Sequence, residues 1–139
     1  MELEELVKRV TRLEDIEAIK RLKARYCEIC DHEEYDADAM ASLFTEDGTW
    51  EAGFANAEGR EAIRELFSGF PNLIARAQHI VANPLIEVDG DRARGVWYLI
   101  PAVVKSDGTK SKWPSTTARY HEDYVKQDGE RMIQHLRVG

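Results

Sequence analysis

Leu3, Leu6, Val10 and Leu13, followed by Ile16, Ile19, Leu22, Tyr26 and Ile29, recur at intervals of three and four with polar residues between them. That is the period of one helix face, and it predicts helix over residues 3–31. Thr11 followed by Glu14 fits a capping box, which would split the stretch into a leading helix and a second one starting near Arg12; one continuous helix is the simpler alternative. Beyond the acidic and polar residues 33–38, Ala39, Met40, Leu43 and Phe44 predict a short second helix that stops before Glu46-Asp47-Gly48. Residues 49–54 read as a strand carrying Trp50. Gly59 opens a third helix with Ile63, Leu66 and Phe67 on one face, closed by Gly69 and Pro71.

The second half changes period. Three Asp-Gly dipeptides, Asp89-Gly90, Asp107-Gly108 and Asp128-Gly129, separate β-rich runs at 78–88, 92–105, 115–126 and 131–138. Each dipeptide is a hairpin-turn candidate, so the four runs predict a meander. Helices first and antiparallel strands afterwards is an α+β pattern, not the alternation of a parallel fold. Long strands twist, and a bulge at Asn83-Pro84 adds curvature. The expected architecture is a curved antiparallel sheet wrapped around N-terminal helices, a cone whose open end leaves a small-molecule pocket. No repeat or linker interrupts it, so residues 1–139 form a single domain. Because the helices occupy the concave face, the convex face is left to be covered, and a homodimer or homotrimer is expected.

Composition narrows the functional classes. The net charge of −7, with Lys and Arg scattered, excludes a nucleic-acid or anionic-membrane partner. The N-terminus has neither the basic start nor the apolar run of a secretory signal, and no apolar stretch is long enough for a membrane span, which predicts a cytoplasmic protein. The only cysteines, Cys27 and Cys30, form a Cys-x-x-Cys near the end of a helical pattern. There the helix dipole opposes thiolate, so they read as plain buried thiols rather than a redox pair. His32, His121 and His135 have no spacing that gathers a metal, and no phosphate-binding glycine loop or nucleophile elbow is present. Neither metal nor cofactor is predicted.

Polar groups inside apolar elements are the candidates for chemistry. His79 opens a strand that continues Ile80-Val81, and an imidazole pointing into the concavity can move protons near neutral pH. Asp31 ends the long helix, where an acid is unfavourable beside the negative dipole end. If it faces the pocket, it can accept the Nδ1 proton of a histidine and orient it. Tyr26 lies five residues before Asp31, about 140° round an ideal helix, and its phenol can donate to a substrate oxygen. Trp50, Phe54, Trp97, Tyr98, Trp113 and Tyr120 are candidates for flat apolar walls.

The order of Asp15-Ile16-Glu17-Ala18-Ile19, Arg25-Tyr26, Asp31, Leu43-Phe44-Thr45-Glu46-Asp47-Gly48, Gly59-Arg60-Glu61-Ala62-Ile63, His79, Asn83-Pro84, Val88-Asp89-Gly90 and the run from Tyr120 to Gly129 resembles SnoaL-like proteins. These belong to the nuclear transport factor 2-like superfamily, and the resemblance points to the branch containing scytalone dehydratase and bile-acid 7α-dehydratase. It implies catalysis by a tyrosine and an aspartate on the first helix and a histidine on a facing strand, matched here by Tyr26, Asp31 and His79. Where the bile-acid enzyme has a second acid, this chain has Pro101. The expected activity is cofactor-independent dehydration of a hydrophobic cyclic hydroxy-carbonyl compound such as a steroid or polyketide. The alternatives are ketosteroid-type isomerisation or polyketide cyclisation, and a non-catalytic binding module or small structural subunit of a ring-hydroxylating oxygenase.

Overall fold

The computed structural model describes residues 1–112 and 118–139. Helix α1 (Leu3–Asp31) is continuous through the Thr11–Glu14 segment. Neither Gly nor Pro interrupts it, so the capping-box residues stay in mid-helix and the single-helix alternative is the one the chain adopts. Helix α2 (Ala37–Ser42) is capped by Asp36, whose Oδ1 accepts the Ala39 N–H at 2.9 Å. Strand β1 (Phe44–Ala52) and a short β2 (Ala55–Glu58) precede α3 (Arg60–Gly69), and a 3-10 turn over Phe70–Asn72 leads into the sheet's longest strands. These are β3 (Ile74–Asp89), β4 (Arg92–Lys105), β5 (Ala118–Gln127) and β6 (Glu130–Val138).

The strands form one open sheet in the order β2-β1-β6-β5-β4-β3. The meander from β3 to β6 is antiparallel as expected, but β1 returns to lie parallel to β6, so the six-stranded sheet is mixed. β1 also starts earlier than the turn signal suggested. Its pairing jumps from Phe44 with Ile133 to Thr49 with His135, so Glu46-Asp47-Gly48 bulges out within a strand instead of ending an element. A side chain at Gly48 would meet the Thr45 carbonyl at 3.0 Å and Phe44 Cβ at 3.1 Å. β2 was not anticipated, because its four residues Ala55 to Glu58 carry no β-branched or aromatic group.

The three Asp-Gly turns all reverse the chain. At Asp128-Gly129 both residues have positive φ, 51° and 80°, as a type I′ hairpin requires. The anticipated bulge is present too: the β3 register shifts between Ala82 and Leu85, and Asn83 takes φ 52°. Trp113 and the first residues of the expected third β-run, 115–117, lie outside the described residues.

The inner face of the sheet and the helices share one core. It holds Ile19, Tyr26 and Ile29 from α1, Met40 from α2, Ile63 and Phe67 from α3, and Phe44, Trp50, Trp97, Tyr120, Tyr124, Ile133 and Leu136 from the strands. α1 crosses this face and delivers its C-terminal end to β3. Asp15 anchors it at mid-length, where Lys126 Nζ lies 2.7 Å from Oδ1 and Arg131 Nη2 lies 3.2 Å from Oδ2.

Candidate active site

Asp31 is the last residue of α1, and no basic side chain shares that turn. A carboxylate at the negative end of a helix needs compensation from elsewhere. His79 supplies it: its Nδ1 lies 2.6 Å from Asp31 Oδ1, and its backbone N–H donates to Oδ2 at 2.9 Å. Both carboxylate oxygens are thereby held by one residue of β3. β3 is an edge strand, so this amide of the sheet edge is satisfied by α1 instead of another strand. With the Nδ1 proton on the carboxylate side, Nε2 is the nitrogen left to accept a proton. Among the described residues nothing hydrogen-bonds Nε2. The side chains of His79 and Asp31 are 17% and 26% exposed, so both are sheltered but not closed off from solvent.

Between Asp31 and the 3-10 turn is a cavity of about 50 Å³, lined by Cys30, Tyr35, Phe70, Ile74 and Ala77 among others. It has room for a few waters and not for a carbon ring. Larger depressions, of about 640 and 440 Å³, sit on the outer face of the sheet, where charged residues such as Arg94, Asp123 and His135 line them. Neither includes the dyad.

The other site candidates separate into interior and outside. Tyr26 is fully enclosed: Trp50 Nε1 donates to its hydroxyl at 2.8 Å, and its ring meets Phe67 and Tyr120 edge-on. Burial, with Tyr120 beside it, pushes its pKa well above the ordinary phenol value. No described hydrogen bond joins it to the dyad. Trp50, Trp97 and Tyr120 are buried in the hydrophobic core on the inner face of the sheet. Phe54 sits just beyond β1, 57% exposed, with its ring against Trp50 and Phe70. Tyr98 is a correction. It alternates with the buried Trp97 and Leu99, so it faces outward, where the Arg119 guanidinium stacks 4.7 Å from its ring; it cannot wall the interior.

One buried feature was not anticipated. The Lys23 ammonium pairs with the Glu122 carboxylate, both wholly excluded from solvent. Its Nζ also lies 3.1 Å from the Tyr120 ring centroid and 4.2 Å from that of Tyr26. Glu122 Oε1 accepts the Tyr124 hydroxyl at 2.6 Å, and the Tyr124 oxygen accepts Trp97 Nε1 at 3.1 Å. The signal was in the sequence, since Lys23 falls on the apolar stripe between Ile19 and Tyr26, and Glu122 on the inward alternation between Tyr120 and Tyr124.

Helices packed on one face of an open six-stranded sheet, with an imidazole–carboxylate pair joining α1 to β3, define a protein of the cystatin-like fold seen in nuclear transport factor 2-like proteins. Residues 11–137 match the SnoaL-like domain, and the chain belongs to that family. Among solved structures it is similar to a Mycobacterium tuberculosis protein of unknown function, at 30% identity and a TM-score of 0.78, over 93% of this chain and 73% of that one. It is also similar to a Novosphingobium aromaticivorans protein proposed to be a scytalone dehydratase (21% identity, TM-score 0.80, 92% and 85% covered). A third is the hexachlorocyclohexane dehydrochlorinase LinA-type3 of Novosphingobium barchaimii (20% identity, TM-score 0.77, 94% and 88% covered). No curated protein matches the chain. Among the described residues no helix is long and apolar enough to cross a membrane.

Proposed function

We propose that this protein is a cofactor-independent acid–base lyase that dehydrates a hydrophobic cyclic hydroxy-carbonyl compound, of the steroid or polyketide kind. The observation that carries the reading is the two-point grip of Asp31 on His79. It fixes the ring orientation and tautomer and stabilises the imidazolium formed when Nε2 takes a proton. Nε2 removes the proton on the carbon next to the carbonyl, and the C–H electrons form the new double bond as the hydroxyl on the adjacent carbon leaves. The imidazolium returns its proton to that departing oxygen, which leaves as water. Tyr26 is the proposed hydrogen-bond donor to the carbonyl oxygen as charge develops there, a role that requires the aromatic packing around it to open for the substrate, and burial keeps its phenol protonated. Two structural relatives bear names of eliminating enzymes, a dehydratase and a dehydrochlorinase, which is consistent with such chemistry.

The test is turnover of a panel of hydroxysteroids, their thioesters and aromatic polyketides. On whichever compound is converted, His79→Ala lowers kcat by roughly a hundredfold to ten thousandfold, the range of a lost general base. Asp31→Asn lowers it as well, while Tyr26→Phe has the smallest effect of the three. An unchanged rate in His79→Ala overturns the assignment.

A second reading has support in the close edge-to-face packing of Trp50, Phe67 and Phe70, with Trp50 and Phe67 5.2 Å apart and Phe67 and Phe70 4.9 Å apart. An interior filled in this way suits a non-catalytic role, as a binding module or a structural small subunit of an oxygenase. Binding without conversion across the whole panel favours it. Under either reading the chain is proposed to self-associate, supported by Ile80, Tyr98 and Ile100, exposed together on the outer face of β3 and β4.

A further inference from the structure

Tyr35 follows Asp31 by four residues, in the segment that joins α1 to α2. It lines the cavity of about 50 Å³ together with Asp31 and Ala77. Ala77 is the neighbour of His79 on the same face of β3, two residues away and about 7 Å along the strand. The cavity therefore adjoins the imidazole–carboxylate pair, and Tyr35 brings a phenol to it. Its size admits a hydroxyl group or a water and excludes a ring.

The ring of Tyr35 is firmly placed, but its hydroxyl is poorly matched. The ring stacks on Phe67, with 6.1 Å between centroids and 20° between planes. Among the described residues the hydroxyl has one hydrogen bond, donated to the Cys30 sulfur at 3.9 Å. Sulfur is a weak acceptor, so a half-buried O–H keeps most of its donor capacity unused. The Asp31 carboxylate lines the same cavity, yet its oxygens are held by His79, and no described hydrogen bond joins it to Tyr35. Burial pushes the Tyr35 pKa up, which keeps the proton on its oxygen. Tyr26 differs on both counts, since its hydroxyl is bonded to Trp50 and its ring is enclosed in the core.

We propose that this cavity receives the substrate hydroxyl that departs, and that Tyr35 donates a hydrogen bond to its oxygen. The inference rests on the lyase reading above and adds to it a donor on the leaving-group side. Only the hydroxyl enters the cavity, and the substrate ring stays outside it, beside His79 Nε2. As the C–O bond breaks, its electron pair goes to the oxygen, and the His79 imidazolium supplies the proton that makes water. The Tyr35 proton stays on the phenol throughout, and its hydrogen bond strengthens as negative charge builds on the departing oxygen. The water formed already sits in a space of its own size.

Tyr35→Phe keeps the stacked ring and removes the donor alone, so the thermal transition is expected to hold. On whichever hydroxysteroid, thioester or polyketide of the panel is converted, kcat is expected to fall about tenfold to a hundredfold, with KM changed less and the pH profile unmoved. The same compound carrying chloride in place of the hydroxyl has a leaving group that needs less help. Its elimination is expected to be nearly indifferent to Tyr35→Phe while still depending on His79. An equal loss for hydroxyl and chloride means a structural effect and overturns the proposal. Calorimetric titration supplies a readout independent of turnover, with each panel compound paired with its deoxy counterpart. Tyr35→Phe is expected to weaken binding of the hydroxy compound about threefold to tenfold and to leave the deoxy compound unchanged. Should that difference appear with no compound converted, the lyase reading fails and Tyr35 stands as the hydroxyl contact. Conversion with kcat and binding both unaltered in Tyr35→Phe leaves the lyase reading intact and overturns the proposal. Binding of no panel compound overturns both.

Discussion

A buried ion pair repays the cost of leaving water only when further contacts complete it, and Lys23 with Glu122 is completed by the Tyr124 hydroxyl and by the ring faces of Tyr120 and Tyr26. Removing one partner leaves an uncompensated charge in the core. Lys23→Met is therefore expected to lose about 3–5 kcal/mol in urea unfolding, whereas Lys23→Met combined with Glu122→Gln recovers most of it, since the amide still accepts the Tyr124 proton. Equal losses in the single and double variants would show that the charge is not the cause. At this scale the chain was partly legible. Asp31 stood out as an acid at the wrong end of a helix, and His79 as a polar residue in an apolar strand; the structure brings the two within 2.6 Å. Lys23 and Glu122 each look like an ordinary charge until both are placed on their buried faces. Nothing local in either segment indicates that the two faces meet.

A few charged clamps tie elements to one another here in addition to the apolar core. Asp15 fastens α1 to β5 and β6: Lys126 and Arg131 flank its carboxylate, and Arg131 also donates to the Gly90 and Asp91 carbonyls at 2.7 and 2.9 Å. Burial pushes the Asp15 pKa up, but Lys126 and Arg131 outweigh it and the net direction is down. A folded-state value below the unfolded one means that the clamp contributes fully above the unfolded carboxylate range, near about 4, and is lost as pH falls through the folded value. Urea midpoints followed from neutral to acid pH should drop through that window, and Asp15→Asn should flatten the drop while costing about 1–3 kcal/mol at neutral pH. A variant with an unchanged acid limb would assign the loss to other carboxylates. The bulge at Asn83 offers a second check. At φ 52° an Asn→Gly change should be nearly neutral, and Asn83→Val should cost about 1–2 kcal/mol in thermal unfolding. Hairpins and bulge were legible because Asp-Gly and Asn-Pro signal their own backbone geometry. β1 was misread for the same reason, since Glu46-Asp47-Gly48 has turn chemistry yet is absorbed as a bulge by a partner, β6, more than eighty residues away.

For the molecule as a whole, helices before a meander was enough to reach the α+β class. The parallel return of β1 onto β6 was not, because that pairing depends on where α3 sends the chain and on which edge of the meander is left open. The same assembly settles the state of the Cys-x-x-Cys. Both cysteines are free, on the side of α1 pressed towards the sheet, and Tyr35 donates to the Cys30 sulfur at 3.9 Å. Burial pushes Cys27 up to about 11, against the pull of the Lys23 ammonium, and Cys30 up to about 12, with Cys27 adding to the effect. Thiolate is the reactive form, so at mildly alkaline pH each should react with an aromatic disulfide reagent roughly a hundredfold or more below the rate of an unhindered cysteine. In denaturant both should titrate at once. Because the shift comes from the closed core, the native-state rate should follow global opening, rising in Lys23→Met in proportion to its lost stability and staying level in a variant of an exposed residue of α1 such as Glu17→Ala. Fast labelling of Cys30 alone, with the domain still folded, would mean that the cavity beside Asp31 opens by itself, and a pocket of that kind could admit a ring-sized ligand without unfolding.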